Sequence, residues 1–206
     1  LLPKTYFVYL CADEVQPLAA PPIEFAYEDF AGFVKLKSVL SSPMRDSGAM
    51  LYVRLVSPKL LNADLDALRD SEIRDRDTLI LCVEAHGIVR DSKAYLMCNN
   101  FDPTAIGEES NNGLYEVSEL LKRVRDLPGA KKLLLLDAGR TNYAPRLGMA
   151  VHTFAETLKQ EFESLSLPSV WVLSASSPGE RSHVSPALRR SVFGYISATG
   201  LQGAVE

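Results

Sequence analysis

Two nearly uninterrupted apolar runs constrain the fold of this chain more than any other feature. Residues 78–84 read Thr-Leu-Ile-Leu-Cys-Val-Glu, and residues 132–137 read Lys-Leu-Leu-Leu-Leu-Asp. Runs of this kind are typical of strands that are covered on both faces, as in a parallel sheet between two layers of helices. They are far shorter than the roughly 20 apolar residues that cross a bilayer. We therefore expect a buried sheet and no membrane contact.

Strand and helix patterns alternate along the rest of the chain. Strands are expected at 5–10, 49–56 and 169–176, with a hairpin at 89–97. Helical spacing of apolar residues predicts helices at 24–40, 114–127, 154–165 and 191–201, and residues 62–68 are expected to form a short helix or a turn. This alternation indicates an α/β fold, a three-layer α/β/α sandwich with a mainly parallel central sheet.

The composition favours one folded domain with a substantial core. The chain has 206 residues, of which 47% are hydrophobic, and we assign residues 1–206 to a single domain. Residues 1–4 carry neither an initiating Met nor a secretion signal, so we expect the domain to be a fragment of a longer chain. Other domains of that longer chain are then expected partners.

Charge and cysteine usage exclude several classes of partner and compartment. The net charge is -4 and no Lys/Arg block occurs, which argues against binding to nucleic acid or to an anionic membrane. Cys11, Cys82 and Cys98 are odd in number and lie in or beside apolar runs. This pattern predicts reduced, buried thiols and a cytoplasmic location rather than a disulfide framework.

Polar residues follow two of the expected strands at the point where each strand ends. His86-Gly87 comes after the run at 78–84, and Asp137-Ala138-Gly139-Arg140 comes at the end of the run at 132–137. In open parallel sheets, sites lie beyond the carboxyl ends of neighbouring strands. We therefore expect these two segments to face one another.

The order of these motifs resembles the caspase-like peptidases, the clan of caspases, metacaspases and their bacterial relatives. The resemblance rests on an apolar strand ending in His-Gly, on the segment 131–140, and on a strand ending Val-Leu-Ser-Ala-Ser-Ser-Pro-Gly-Glu. It implies the caspase-like form of the α/β/α sandwich, with His86 as general acid/base. The family's nucleophilic Cys falls on Gly139, which has no side chain and cannot attack a carbonyl.

The resemblance also implies how a peptide would be held. The backbone N–H groups of Gly87 and Gly139 match the family's oxyanion hole. Asp137 matches an acidic pocket that selects Arg or Lys in metacaspase-like branches, and we expect Glu180 to contribute to that pocket. Ser174 lies at a strand end that could reach the cleft. A peptide or protein with a basic residue is the implied partner. Asp137 could equally cap its own loop by accepting backbone hydrogen bonds.

Other residues are weaker candidates for a nucleophile. Thr141, Ser174 and Ser176 could reach the cleft, but hydroxyls need stronger activation than thiols and no Gly-x-Ser-x-Gly motif is present. Cys82 lies inside a strand and should point into a helix layer. No spacing of metal ligands occurs, so we predict neither a metal nor a cofactor.

Four functional hypotheses remain open at this stage. The first is a pseudopeptidase that serves binding or regulation, because Gly139 replaces the nucleophile. The second is a cysteine endopeptidase cutting after Arg or Lys, in which the Cys has been exchanged for Gly139. A third, a domain that binds an anion or nucleotide, lacks a Gly-rich phosphate loop. The fourth is a structural module without a ligand.

Overall fold

A five-stranded parallel sheet forms the centre of the molecule in the computed structural model, which describes residues 2–13, 15, 22–40, 47–102, 113–140 and 153–203. The strands of the described residues are β1 (Thr5–Cys11), β2 (Ser47–Arg54), β3 (Thr78–Glu84), β4 (His86–Arg90), β5 (Lys93–Met97), β6 (Leu114–Glu116), β7 (Lys131–Asp137), β8 (Val170–Ser174), β9 (Val184–Ser185) and β10 (Arg190–Ser191). The helices are α1 (Ala26–Leu40), α2 (Pro58–Arg69), α3 (Val117–Asp126), α4 (Phe154–Ser164) and α5 (Val192–Leu201).

The order of strands in the sheet is β2-β1-β3-β7-β8, and every pair is parallel. The two apolar runs become β3 and β7, which are neighbours near the middle of the sheet, as expected. Their register pairs Glu84 with Asp137, so both strands end at the same level. The polar residues that follow them are thereby brought to one edge of the sheet.

Helices cover both faces of the sheet, because successive strand side chains point to opposite sides. On one face, Val8, Leu81 and Leu134 pack in the same apolar cluster as buried residues of α2, α3 and α4. On the other face, Tyr9 and Cys82 pack in a cluster with residues of α1 and α5. The predicted α/β/α sandwich is confirmed.

A second, smaller sheet of order β4-β5-β6 follows β3 directly. Asp91 and Ser92 connect β4 to β5 with positive φ angles of 49° and 60°, the backbone that a two-residue hairpin turn requires. The helix expected at 114–127 begins three residues late, at Val117. Residues 114–116 instead form β6, because Tyr115 pairs with Leu96 across the hairpin.

Local capping fixes where α2 and α5 begin. Ser57 accepts a hydrogen bond from the Leu60 N–H, and Pro58 occupies the first turn of α2. Ser191 likewise accepts from the Gly194 N–H at the start of α5. The short helix or turn expected at 62–68 is the second half of α2, which begins earlier because its cap, Ser57, lies five residues upstream.

The three cysteines are free and buried, as the sequence predicts. Burial raises the pKa of Cys98 to about 12, and burial next to Glu84 raises the pKa of Cys82 well above its ordinary value. In the part of the chain that the structure describes, none of the helices combines the length and apolar character needed to span a membrane.

Candidate functional site

The structure brings together the two motifs that the sequence places at strand ends. The Ala85 N–H donates to the Asp137 carbonyl at 3.1 Å, and the Gly87 N–H donates to the Ala138 carbonyl at 2.9 Å. His86 lies between these bonds as the first residue of β4 and is only 2% exposed. We call this region the strand-end site: His86, Gly87, Asp137, Gly139 and Arg140, with Glu84 beneath them.

Gly87 allows the two motifs to approach this closely. A Cβ atom built at Gly87 would lie 2.6 Å from both the Ala138 carbonyl oxygen and the Phe154 ring, so glycine alone fits without a shift. The same contact differs from the expected oxyanion hole. The Gly87 N–H is already donated to Ala138 O, and an incoming oxyanion would have to displace that bond.

Gly139 stands where the resemblance places the nucleophile, and the space beside it is filled. A Cβ atom built at Gly139 would lie 2.3 Å from Ser176 Oγ and 3.2 Å from the Ser182 backbone nitrogen. The Gly139 carbonyl accepts a hydrogen bond from that same Ser182 N–H at 3.1 Å. The Ser176 hydroxyl therefore occupies the volume in which a side chain at position 139 would begin.

Several buried polar atoms around Gly139 lack hydrogen-bond partners within the described residues. They are Ser176 Oγ, Ser182 Oγ, Asp137 Oδ1 and Arg140 Nε. Buried polar groups are normally satisfied, and each unpartnered one costs about 1–3 kcal/mol. Their concentration beside Gly139 marks this as a polar pocket rather than a part of the apolar core.

Arg140 is the cation of the strand-end site, and its guanidinium is turned inward. Its Nη2 atom bonds both Glu84 Oε1 and Asp137 Oδ2, the latter at 3.0 Å, while Nη1 donates to the Glu24 carbonyl at 3.2 Å. The side chains of Arg140, Glu84 and Asp137 are 8%, 2% and 3% exposed. The Tyr9 hydroxyl completes the cluster by donating to Glu84 Oε2.

The charges of this cluster do not cancel when both carboxyls are ionised, because two carboxylates share one guanidinium. Burial raises the pKa of Glu84 to about 8, with Arg140 opposing the shift and Asp137 adding to it. Burial also works against charge on Arg140, but Glu84 and Asp137 outweigh it and raise the guanidinium pKa. Burial therefore disfavours a negative charge on Glu84.

Asp137 is therefore placed differently from the substrate contact that the sequence predicts. Its carboxylate is 3% exposed and pairs with the chain's own Arg140. A basic side chain of a peptide would have to displace Arg140 from a buried ion pair. Asp137 also does not cap its loop through its second oxygen, since Oδ1 has no partner within the described residues.

Ser174 and Glu180 lie outside this cluster. Ser174 is the last residue of β8 and lines a groove against α5. Glu180 is exposed and accepts the Ser177 N–H at 3.3 Å. The expected help from Glu180 in an acidic pocket with Asp137 is thus absent from the contacts of the described residues.

Cys82 and Thr141 were the other two candidates for a nucleophile. Cys82 lies in the apolar cluster against α1 and α5, as its position in the strand predicts. Thr141 lies outside the described residues. Among the residues that the structure describes, no three His, Cys, Asp or Glu side chains are grouped so that they could hold a metal ion.

Sequence reasoning missed Glu84 and Tyr9 as parts of the site. A signal was available for Glu84, since it is an acidic residue at the end of an otherwise apolar strand, directly before the His-Gly motif. The register of β3 and β7 then sets Glu84 opposite Asp137. The sequence around Tyr9 gave no such signal, because its hydrogen bond to Glu84 depends on β1 pairing with β3.

Comparisons with solved structures show the fold. The initiator caspase Dronc from Drosophila matches with a TM-score of 0.58 at 12% sequence identity, over 97% of this chain and 63% of the Dronc chain. Protein GSU0716 from Geobacter sulfurreducens matches with a TM-score of 0.60 at 9% identity, over 98% of this chain and 83% of that chain. No family model and no curated protein matches the sequence. The chain spans less than two thirds of the Dronc structure, and its central parallel sheet, flanked by helices, is the caspase-like α/β fold.

Proposed function

We propose that this chain is a non-catalytic caspase-like domain, a pseudopeptidase that serves binding or regulation within a longer protein. One observation carries the proposal. Gly139 occupies the nucleophile's position in the resemblance, and Ser176 Oγ lies within 2.3 Å of the point where a Cβ atom would stand. The position lacks a thiol, and the space for one is used by another side chain.

The chemistry of acyl transfer supports this proposal. Covalent peptide cleavage needs a nucleophile that a neighbouring base can activate. Gly139 supplies none, and the pKa of the Cys82 thiol is raised by burial on the far side of the sheet from β4. Because position 139 supplies no thiol for His86 to activate, we propose that this imidazole has a structural or binding role.

The ion pair between Arg140 and Asp137 supports the proposal that this domain does not cleave peptides. In the resemblance, Asp137 matches the metacaspase-like branch, in which an acidic pocket receives Arg or Lys. Arg140 bonds that carboxylate from within the chain, together with Glu84. A peptide or protein with a basic residue would bind the strand-end site only by competing with Arg140.

A panel of fluorogenic peptides tests the proposal, with Arg, Lys or Asp before the reporter. The unaltered chain is compared with Ser176→Ala, with Gly139→Cys/Ser176→Ala, and with that double variant carrying His86→Ala. Ser176→Ala is included because it removes the hydroxyl that a Cβ atom at position 139 would meet. Circular dichroism and thermal unfolding confirm that each variant is folded.

We expect no turnover of any peptide by the unaltered chain. Turnover that appears only in Gly139→Cys/Ser176→Ala, requires His86 and favours Arg or Lys would support descent from an endopeptidase with only its nucleophile lost. A silent but folded double variant would support a binding role with wider loss of the catalytic apparatus. Turnover by the unaltered chain that Ser176→Ala abolishes would contradict the proposal and assign Ser176 as a nucleophile.

A further inference from the structure

One long segment, residues 175–191, connects β8 to α5 and contacts the strand-end site on the way. Ser176 and Ser182 of this segment lie against Gly139, and Ser182 donates its backbone N–H to the Gly139 carbonyl at 3.1 Å. Beyond that contact, β9 pairs with β10 in a short two-stranded ribbon. We call residues 175–191 the strap, because they are fixed to the sheet at one end and to a helix at the other.

The buried residues of the strap are all polar. The structure describes every residue of the strap, and only three of them are buried: Ser176, Ser182 and Ser191. Leu188, its one leucine, is 46% exposed. Segments with few buried apolar contacts open at a lower free energy than the core of a domain. Polar contacts therefore decide whether the strap stays closed over position 139.

The contact with position 139 leaves buried polar groups unsatisfied. The hydroxyls of Ser176 and Ser182 have no hydrogen-bond partner among the described residues, and neither has Asp137 Oδ1. In water each of these groups would be hydrogen-bonded, so burying them unpaired opposes closure. The strap is therefore held closed by a contact elsewhere along its length.

That contact is made by Asp29, which lies in the first turn of α1 and is only 1% exposed. One of its carboxylate oxygens accepts from the Arg190 guanidinium, and the other accepts from the Ser191 N–H at 2.9 Å. Arg190 Nη2 also donates to the Gly194 carbonyl of α5 at 3.3 Å. Charge-assisted hydrogen bonds are roughly twice as strong as neutral ones. We call this set of bonds the clamp, and it ties the far end of the strap to two helices.

Two glycines make room for the clamp. A Cβ atom built at Gly32 of α1 would overlap the Arg190 guanidinium, and one built at Gly194 of α5 would lie 2.6 Å from Asp29 Oδ1. Neither glycine has a positive φ, so the close approach of the ion pair is what requires glycine there. Glycine is a poor helix former. Both helices thus give up some intrinsic stability at the positions where the clamp is seated.

The chain at the start of α1 also contacts the buried cluster of the strand-end site. The Ala26 carbonyl accepts from the Tyr9 hydroxyl at 3.3 Å, and the Glu24 carbonyl accepts from Arg140 Nη1 at 3.2 Å. Tyr9 and Arg140 both bond Glu84. The start of α1 therefore holds the strap on one side and the buried cluster beneath position 139 on the other.

We propose that the strap is an intramolecular lid on the strand-end site and that Asp29 is the positioning residue that keeps it closed. With the clamp formed, Ser182 stays bonded to Gly139 and position 139 is covered. When the clamp is broken, the ribbon and Ser182 move away together, and the hydroxyls of Ser176 and Ser182 become accessible. This inference goes beyond the proposed function and does not depend on it, because closure is measured without a peptide, whereas peptide turnover tests the loss of catalysis.

Hydrogen–deuterium exchange followed by mass spectrometry tests the inference on the unaltered chain, on Asp29→Asn and on Glu28→Gln. Asp29→Asn keeps the shape of the side chain and removes its charge. Glu28→Gln is the matched control, since Glu28 lies in the same turn and pairs with Arg189, which is 73% exposed. Peptides from the strap report its opening, and peptides from β3 and β7 report global unfolding.

We expect Asp29→Asn to speed exchange within residues 180–191 by about tenfold or more, with exchange in β3 and β7 unchanged. Glu28→Gln should change strap exchange by no more than about a few-fold, because exposed ion pairs contribute little. Arg190→Lys is a milder second variant, which keeps the charge and loses the planar guanidinium. It should speed exchange in the same region by a smaller factor.

Thiol labelling gives a second measurement of opening. Cys11, Cys82 and Cys98 are free and buried, so their reaction with a thiol reagent reports only global unfolding. Ser182→Cys combined with Asp29→Asn should react about tenfold or more faster than Ser182→Cys alone, while the three native thiols stay slow.

Three results would overturn the inference. One is strap exchange in Asp29→Asn and Arg190→Lys that equals exchange in the unaltered chain. Another is strap exchange that rises only in step with exchange in β3 and β7, since Asp29 would then stabilise the whole domain rather than the strap. The last is rapid labelling of Ser182→Cys in a chain that retains Asp29, since position 139 would then be uncovered with the clamp in place.

Discussion

The strand-end site and the strand β8 differ in how far their side chains are exposed. In the strand-end site, the side chains of Arg140, Glu84 and Asp137 are at most 8% exposed, and Arg140 bonds both carboxylates. On β8, Trp171 and Leu173 are more than half exposed. The strand-end site is closed by the chain's own groups, whereas β8 presents two large apolar side chains on the surface.

Removing Arg140 breaks the closed side of this comparison with the largest expected effect. Arg140→Met leaves Glu84 and Asp137 buried without a cation, and breaking a buried ion pair from one side costs about 3–5 kcal/mol. Urea unfolding measures the loss. Arg69→Met is the control, since Arg69 is 54% exposed and pairs with exposed carboxylates, so it should cost under about 1 kcal/mol. Equal losses for the two variants would mean that Arg140 does not stabilise the cluster.

The pH dependence of stability sharpens the same point. The pKa of Glu84 rises on folding from its ordinary value of 4.5 to about 8, so the folded protein binds this proton more tightly than the unfolded chain. The stabilisation is present at acidic pH and is lost as the pH rises toward the folded value. Between about pH 5 and about pH 8 the free energy of unfolding should fall by on the order of 3 kcal/mol from this group. Glu84→Gln should remove that fall, and a variant with an unchanged pH profile would refute the assignment.

Refilling position 139 tests whether its space is taken. The backbone at Gly139 is not in the left-handed region, so the cost of Gly139→Cys comes from contact with Ser176 Oγ rather than from strain. Overpacking of this kind typically costs about 1–3 kcal/mol. Ser176→Ala should recover most of the loss, which a double-mutant cycle of thermal unfolding measures. Additive effects of the two substitutions would show that Ser176 does not fill the site.

The smallest expected effect belongs to the open side of the comparison. Trp171→Ser removes a large aromatic side chain, but one that is 54% exposed on the edge strand. We expect the unfolding free energy to change by under about 1 kcal/mol, against about 3–5 kcal/mol for a buried Trp. A loss of the larger size would mean that Trp171 is covered within the domain.

The fold was predictable because its signals are local. The runs that became β3 and β7 are apolar throughout, and their helices carry apolar residues at helical spacing. The late start of α3 was not predictable, since Tyr115 belongs to β6 through a contact with Leu96 that only the folded hairpin creates. The local pattern of apolar residues predicts that a helix or strand exists, whereas pairing with a distant segment determines where it begins and ends.

The candidate site was predictable only in part. The sequence places His86, Gly87 and Gly139 at neighbouring strand ends, and the structure brings their backbones together. It does not reveal that Arg140 turns back onto Asp137, because that direction depends on Glu84 lying opposite in the register. The exposure of Trp171 could not be predicted either, since an apolar strand has the same sequence pattern at the centre and at the edge of a sheet.

The most direct test of the account is intact-mass spectrometry after treatment with a fluorophosphonate and with a peptide chloromethyl ketone ending in Arg. These reagents form a covalent bond with an activated serine, cysteine or histidine in a working peptidase site. The account predicts an unchanged mass for the unaltered chain. An adduct that appears only in Gly139→Cys/Ser176→Ala would show that the reagents reach the site and that the unaltered chain lacks only the nucleophile. An adduct on Ser176 or His86 of the unaltered chain would contradict the account, because the strand-end site would then be a catalytic centre.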